Sequence, residues 1–136
     1  MLSNLTTYLQ GKKNLVFALL FGSYAKQTQT FLSDVDIAIY TTKPLPLIDL
    51  GLLLSDLEEI THKKVDVVIL NDLYKTDARL AFNIVNNHKV LYQNNTEVYT
   101  EFKSQSMQYY FDIMPMYELF ETALNKRLND GTFAKV

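Results

Sequence analysis

Three aspartates and a glycine-serine pair are the residues of this 136-residue chain whose types and spacing could do chemistry. Gly22-Ser23 is followed, ten residues later, by Asp34-Val35-Asp36, and Asp66 stands in the apolar run Val65-Asp66-Val67-Val68-Ile69-Leu70. The β-branched and aromatic residues of Asp34-Val35-Asp36-Ile37-Ala38-Ile39-Tyr40 favour a strand, whose alternation turns Asp34 and Asp36 to one face. Two residues along a strand span about 7 Å, and like charges at that distance repel by roughly 2 kcal/mol at an effective dielectric of about 20. A divalent cation between them reverses the sign of that interaction, and carboxylate oxygens are the donors that hard ions such as magnesium take. Taken alone, the pair also fits a solvated loop in which Ser33-Asp34 caps a strand entry.

The elements upstream favour the chemical reading. Leu15 to Phe21 is a continuous apolar run of strand length, expected to be buried on both faces, and Gly22-Ser23 ends it. A glycine there lets backbone N–H groups approach a phosphate, and the neighbouring hydroxyl can donate to a phosphate oxygen. If Tyr24-Ala25-Lys26-Gln27 turns into a short helix, its N-terminus faces the same anion. Asp66 interrupts an apolar strand, where a carboxylate is costly unless paired, protonated or bound to metal. As the third acid it suits two-metal chemistry, or it serves as the base that deprotonates an attacking hydroxyl. The competing reading is an edge-strand acid paired with Lys63 or Lys64.

Phe21-Gly22-Ser23-Tyr24-Ala25-Lys26 followed by Ser33-Asp34-Val35-Asp36-Ile37-Ala38 resembles the signature of the DNA polymerase beta-like nucleotidyltransferase superfamily. In size the chain is similar to the minimal nucleotidyltransferase (MNT) members, the MntA antitoxins that pair with HEPN-domain toxins. With the third acid and the strand order, the resemblance extends over residues 1–95. It implies a nucleotidyltransferase fold, magnesium (Mg2+) and ATP, with Asp34 and Asp36 as metal ligands beside the independently read Asp66. In the MntA group it further implies AMP transfer to a tyrosine hydroxyl of the toxin. Many relatives carry an arginine where Tyr24 stands and a glycine near Gln27. That departure leaves Lys26 to supply charge to the phosphates, and Ser33, within the same motif, joins the nucleotide-binding set with Gly22 and Ser23.

Composition sets the frame. Thirteen basic against fifteen acidic residues leave a net charge of −2, which gives no electrostatic footprint for nucleic acid. The chain has no cysteine, so no thiol nucleophile or disulfide is available. No apolar run approaches the ~18 residues of a membrane span and the N-terminus lacks a signal-peptide pattern, so a cytoplasmic protein is expected. The expected fold is α+β, a mixed sheet of three to four strands with packed helices and a long C-terminal helical segment. One domain over 1–136 is expected, with 1–95 as the catalytic part and 96–136 as the helical segment. Leu2, Leu5, Tyr8 and Leu9 predict a first helix stopped at Gly11. Pro44 and Pro46 mark a loop before an amphipathic helix over 47–60 with a Leu50, Leu53, Leu54, Leu57 stripe. Ala78 to Val85 predicts a helix, and Val90-Leu91-Tyr92 a short terminal strand.

The last third carries Tyr99, Phe102, Met107, Tyr110, Phe111, Met114, Tyr117, Phe120 and Leu124 at helical spacing, with Pro115 expected to kink or divide the helix. Packing on its own sheet is the first expectation for this stripe, and a protein partner the second. His62 and His88, each near lysine and without a second histidine at ligand spacing, are expected in a solvated loop or helix end. There is no G-x-x-x-x-G-K-[ST] or G-x-G-x-x-G stretch. The expected function is magnesium-dependent transfer of AMP from ATP to a HEPN-domain toxin. The alternatives are a small-molecule nucleotidyltransferase, such as one acting on an aminoglycoside, which usually needs an additional substrate domain, and an antitoxin that silences its partner by binding alone.

Overall fold

Leu5 and Leu9, about one helical turn apart, are both fully buried and pin the first helix to the sheet. The computed structural model describes residues 2–30 and 33–129. In chain order the elements are α1 (Leu2–Gln10), β1 (Leu15–Phe21), α2 (Ser23–Lys26), β2 (Val35–Thr41), α3 (Leu47–Thr61), β3 (Val65–Ile69), α4 (Leu73–Thr76), α5 (Ala78–Asn86), β4 (His88–Gln93) and α6 (Thr96–Asn129). The four-stranded sheet has the order β3-β2-β1-β4. β1 pairs antiparallel with both β2 and β4, and β2 pairs parallel with β3. The expected mixed sheet is thus present, and α4 is the one element that the hydrophobic pattern did not foresee.

Strand alternation divides the core into two layers. Leu15, Ala18, Leu20, Val35, Ile37 and Ile39 face Leu5, Leu9, Leu53 and Leu57 on one side. Phe17, Leu19 and Ala38 face Ile84 and Phe102 on the other. β1 is therefore buried on both faces, as its uninterrupted apolar run predicts. Asp77 opens α5 by accepting the Leu80 N–H at 3.1 Å, an N-cap that satisfies one of the helix's orphan donors. α3 ends where His62 takes a left-handed conformation (φ 56°) and its N–H returns to the Glu58 carbonyl.

His88 stands at a helix end, as one of its expected placements has it, but it is not simply solvated. Its ring is half-buried, with Nδ1 2.8 Å from the Ile84 carbonyl and Nε2 2.6 Å from the Tyr99 hydroxyl. A carbonyl can only accept, so Nδ1 carries the proton and donates, and in the neutral ring Nε2 accepts from Tyr99. The histidine ties the end of α5 to α6, a role that spacing to other histidines could not disclose.

The aromatic stripe of α6 also divides. Phe102 is buried and Tyr99 meets Phe17 edge-on at 5.3 Å, while Tyr110 stacks on Phe82 at 4.0 Å. Beyond that point Met116, Leu119 and Phe120 are 67%, 72% and 71% exposed, so internal packing holds only for the first half. Length explains the change. The 34 residues of α6 extend about 51 Å at about 1.5 Å each, whereas the seven-residue β1 extends about 23 Å. The helix continues through Pro115 as one element. Among the described residues no helix is long and apolar enough to cross a membrane.

Ser106 lies one turn after Phe102, fully buried, and its hydroxyl has no hydrogen-bond partner among the described residues. An unpaired buried hydroxyl costs about 1–3 kcal/mol. Ser106→Ala removes that cost while leaving the small volume that lets α6 approach, so the variant is expected to gain about 1 kcal/mol or more in chemical denaturation. A loss of stability would show that the hydroxyl is satisfied in solution.

Candidate active site

Register places the acids. β1 ends with Phe21 opposite Asp36 on β2, and Asp36 in turn is opposite Asp66 on β3. Neighbouring strands lie about 5 Å apart, so the two carboxylates leave adjacent strands side by side. Ala38 and Tyr40, two and four residues after Asp36, belong to the α5–α6 layer, as does Val68, two residues after Asp66. Alternation therefore raises Asp36 and Asp66 from that same face, at the sheet end where β1 stops. β2 begins at Val35, so Asp34 is exposed in the segment before the strand and not within it.

Gly22 does more than was expected of it. Its backbone has φ 72° and ψ −145°, a region that residues with a Cβ rarely adopt. A Cβ built there would lie 2.3 Å from the Asp36 carboxylate oxygen Oδ2. The absent side chain is the space that the carboxylate uses. Sequence reasoning assigned this glycine to phosphate approach alone, because its contact with Asp36 exists only once β1 and β2 have paired.

Ser23 then opens α2, half-exposed, with Lys26 exposed in its last turn and Gln27 closing it in a left-handed conformation at φ 58°. The backbone amides of this first turn lack intrahelical acceptors and begin one residue from the Gly22–Asp36 contact. Tyr24 is buried in the layer of α1 and α3. Ser33 is engaged locally: its hydroxyl accepts the Thr30 N–H at 2.9 Å while its own N–H donates to the Thr30 carbonyl at 3.1 Å. These two bonds fasten Ser33 to Thr30 ahead of β2, in line with the strand-entry reading of Ser33-Asp34.

Asp66 is exposed, which agrees with the competing reading of an edge-strand acid and not with a carboxylate enclosed in an apolar strand. The physical reason is the sheet order: β3 is an edge, and water reaches this residue from the open side. Asp36 is the acid that bears the cost. Burial first, then the charge of Asp66 and then that of Asp34, raise its pKa above the usual carboxylate range. A group whose folded pKa is raised destabilises the fold above that pKa, and the penalty vanishes as pH falls below the unfolded value.

Asp36→Asn is accordingly expected to be at least as stable as the parent near neutral pH, by no more than about 1 kcal/mol because water screens all three acids. The difference should shrink as pH is lowered and the parent's carboxyl takes up its proton. A melting-temperature series over pH checks this, and a variant less stable at neutral pH would contradict it. Gly22→Ala is expected to be destabilised by about 1–3 kcal/mol from backbone strain alone, with Asp36 displaced as well, whereas Ser23→Ala should melt near the parent.

The family described as Polymerase beta, Nucleotidyltransferase matches residues 3–97, a span that contains every residue of this corner. A Methanocaldococcus jannaschii protein whose assigned name is protein adenylyltransferase is 40% identical over 57 residues, which cover 42% of this chain and 61% of that protein. The chain thus spans about three-fifths of the curated relative it matches. Among solved structures, a mutant of the toxin–antitoxin complex MntA–HpeT contains a chain similar to this one at a TM-score of 0.65 and 22% identity, over 96% of this chain and 98% of that one. The complex of tri-AMPylated Shewanella oneidensis HEPN toxin with MNT antitoxin gives 0.59 and 20%, over 97% and 99%. These likenesses agree with the nucleotidyltransferase fold. With Gly22, Asp34, Asp36 and Asp66 all inside the matched span, the chain belongs to the polymerase beta-type nucleotidyltransferase family.

Proposed function

We propose that this chain is a magnesium-dependent protein adenylyltransferase that moves AMP from ATP to a tyrosine hydroxyl of a HEPN-domain toxin and so acts as its antitoxin. On this reading 1–95 is the catalytic part and 96–136 a helical segment of the same domain. The observation that carries the proposal is the register contact of Asp36 with Asp66 beside a glycine whose missing side chain makes room for the carboxylate. Support also comes from relatives, since the M. jannaschii protein bears the name protein adenylyltransferase and the Shewanella complex holds an AMPylated HEPN toxin beside its MNT antitoxin.

The donor set suits a hard cation. Asp34, Asp36 and Asp66 offer only carboxylate oxygens, and the mutual repulsion that raises the Asp36 pKa is the charge a cation offsets. Among the described residues no three such side chains converge into a ready cage, and Asp34 and Asp66, both exposed, would have to turn toward Asp36 to share an ion with it. Bound magnesium supplies positive charge to the triphosphate. Gly22 admits the phosphates to the backbone, the Ser23 hydroxyl donates to one of their oxygens, and Lys26 adds a cation from the end of α2. Ser33 shapes the loop that holds Asp34. Asp66 accepts the tyrosine proton as the phenolic oxygen attacks the α-phosphorus; that bond forms as the bond to the departing pyrophosphate breaks.

The test mixes the purified chain, ATP and magnesium with a HEPN-domain toxin, and separately with aminoglycosides, and examines products by mass spectrometry. One or more AMP groups on a tyrosine of the protein are expected, and its inactivity should persist after this chain is removed. Asp36→Asn should lose transfer altogether, and Ser23→Ala should lose about 10²–10³ in rate, as for a missing oxyanion donor. A modified aminoglycoside with an unmodified protein would move the assignment to small-molecule substrates. Protection without any transferred nucleotide, surviving Asp36→Asn, would make the chain an antitoxin by contact.

A further inference from the structure

The end of the sheet remote from the acids, where Leu15 is paired with Thr41, holds a cavity of about 220 Å³. Ile39, Leu45, Leu52 and Leu53 form its apolar wall. Lys12, Lys13 and Asn14, from the α1–β1 connection, line it together with Asp49 of α3. A leucine-lined cavity of about 150 Å³ takes a molecule the size of benzene, so this one has room for a somewhat larger ring or a short alkyl chain.

The polar groups around the cavity are of two kinds. Some are satisfied by the fold itself: the Thr41 hydroxyl donates to the Lys43 carbonyl at 2.8 Å, and the Asn14 carbonyl takes the Thr42 N–H at 2.8 Å. The others are donors still open to a ligand. Among the described residues neither Lys12 nor Lys13 has a carboxylate within ion-pair distance. Lys12 is also held in place, with its Nζ 4.6 Å from the centre of the Tyr8 ring, while the Tyr8 hydroxyl donates to Asp56. An ammonium ordered in advance costs less to immobilise when a ligand arrives. Asp49 is the acid of the lining, and it stands in the first turn of α3, where the helix's own unpaired N–H groups meet its charge. Two lysines against one aspartate leave the lining positive.

We propose that this cavity binds a small free carboxylate with an apolar body, its carboxylate held by Lys12 and Lys13 and its body laid against Leu45, Leu52 and Leu53. The donors select the head group: an ammonium can only donate, an ionised carboxylate can only accept, and such charge-assisted hydrogen bonds are the strong ones. An alcohol of the same length leaves the positive charge unmatched, and an amine adds to it. The walls select the body, because Leu52 is 60% exposed on α3 and a bound chain withdraws part of that surface from water. The limited volume selects one small molecule over a helix or a bilayer. None of the lining residues belongs to the acid corner, so the inference does not depend on the chemistry proposed there.

Isothermal titration of the full chain with octanoate, without ATP or any other protein, gives the test, with octanol and octylamine as the uncharged and cationic counterparts. Octanoate is expected to saturate one site with a Kd near or below about 1 mM, and the two counterparts to bind about tenfold more weakly or worse. The pair Lys12→Gln with Lys13→Gln, and separately Leu52→Asp, should each weaken octanoate by about tenfold or more. Leu119→Asp, on the bare part of α6, should leave its affinity unchanged. All four residues are exposed, so circular dichroism and melting temperature should stay near the parent's. Absence of saturable octanoate binding up to about 10 mM overturns the inference. Equal affinity for octanol or octylamine does so too, as does full affinity in the doubly substituted lysine variant. Loss of binding in Leu119→Asp would place the ligand on α6 and overturn the site equally.

Discussion

The antiparallel pairing of β1 with β2 is the constraint on which the acidic corner depends. It sets Phe21 opposite Asp36, so the chain must turn immediately after β1 at the height of the carboxylate. A residue with a Cβ at that turn would occupy the carboxylate's volume and would also sit in a strained backbone region, so both demands fall on Gly22. The parallel pairing of β2 with β3 then adds Asp66 across from Asp36. β1 anchors the sheet: its side chains are buried in both layers, and more of its residues are buried than in any other strand. The acids are thus positioned by apolar residues several places away along the strands.

Electrostatics at this corner runs against stability, and the distribution of exposure tells how the fold tolerates it. Asp36 is the one of the three that is partly withdrawn from water, and burial with the two neighbouring charges raises its pKa. Asp34 lies ahead of the strand and Asp66 on an edge, where solvent screens both. A closed cage of three carboxylates would concentrate far more repulsion in the ligand-free state. An open arrangement keeps that cost low.

Local pattern made some of this legible and tertiary pairing concealed the rest. The apolar run of β1, the leucine stripe of α3 and the helix over 78–86 follow from periodicity, and all three are where the pattern puts them, with α3 and α5 each one residue longer. The spacing from Gly22-Ser23 to Asp34 and Asp36 marks the corner because glycine, hydroxyl and paired acids have few other joint uses. Asp66 was visible as an acid in an apolar run, but whether the run forms an edge depends on strand order, which no local window contains. The half-buried state of His88 and the burial of Tyr24 are hidden for the same reason: the carbonyls and ring that occupy His88, and the core that takes Tyr24, come from other elements. In α6 the aromatic spacing is continuous from Tyr99 to Leu124, and what divides buried from bare is the reach of the sheet, a length that the helix's own residues do not encode.

The molecule therefore separates its demands by place. One end of the sheet collects carboxylates and a tight turn, where side chains must be absent or exposed for a ligand to approach. The other end collects lysines and leucines, where apolar groups stand in water without a catalytic reason. A surface leucine such as Leu47 or Leu119 contributes little to its own fold, since its transfer from water is incomplete in the isolated chain.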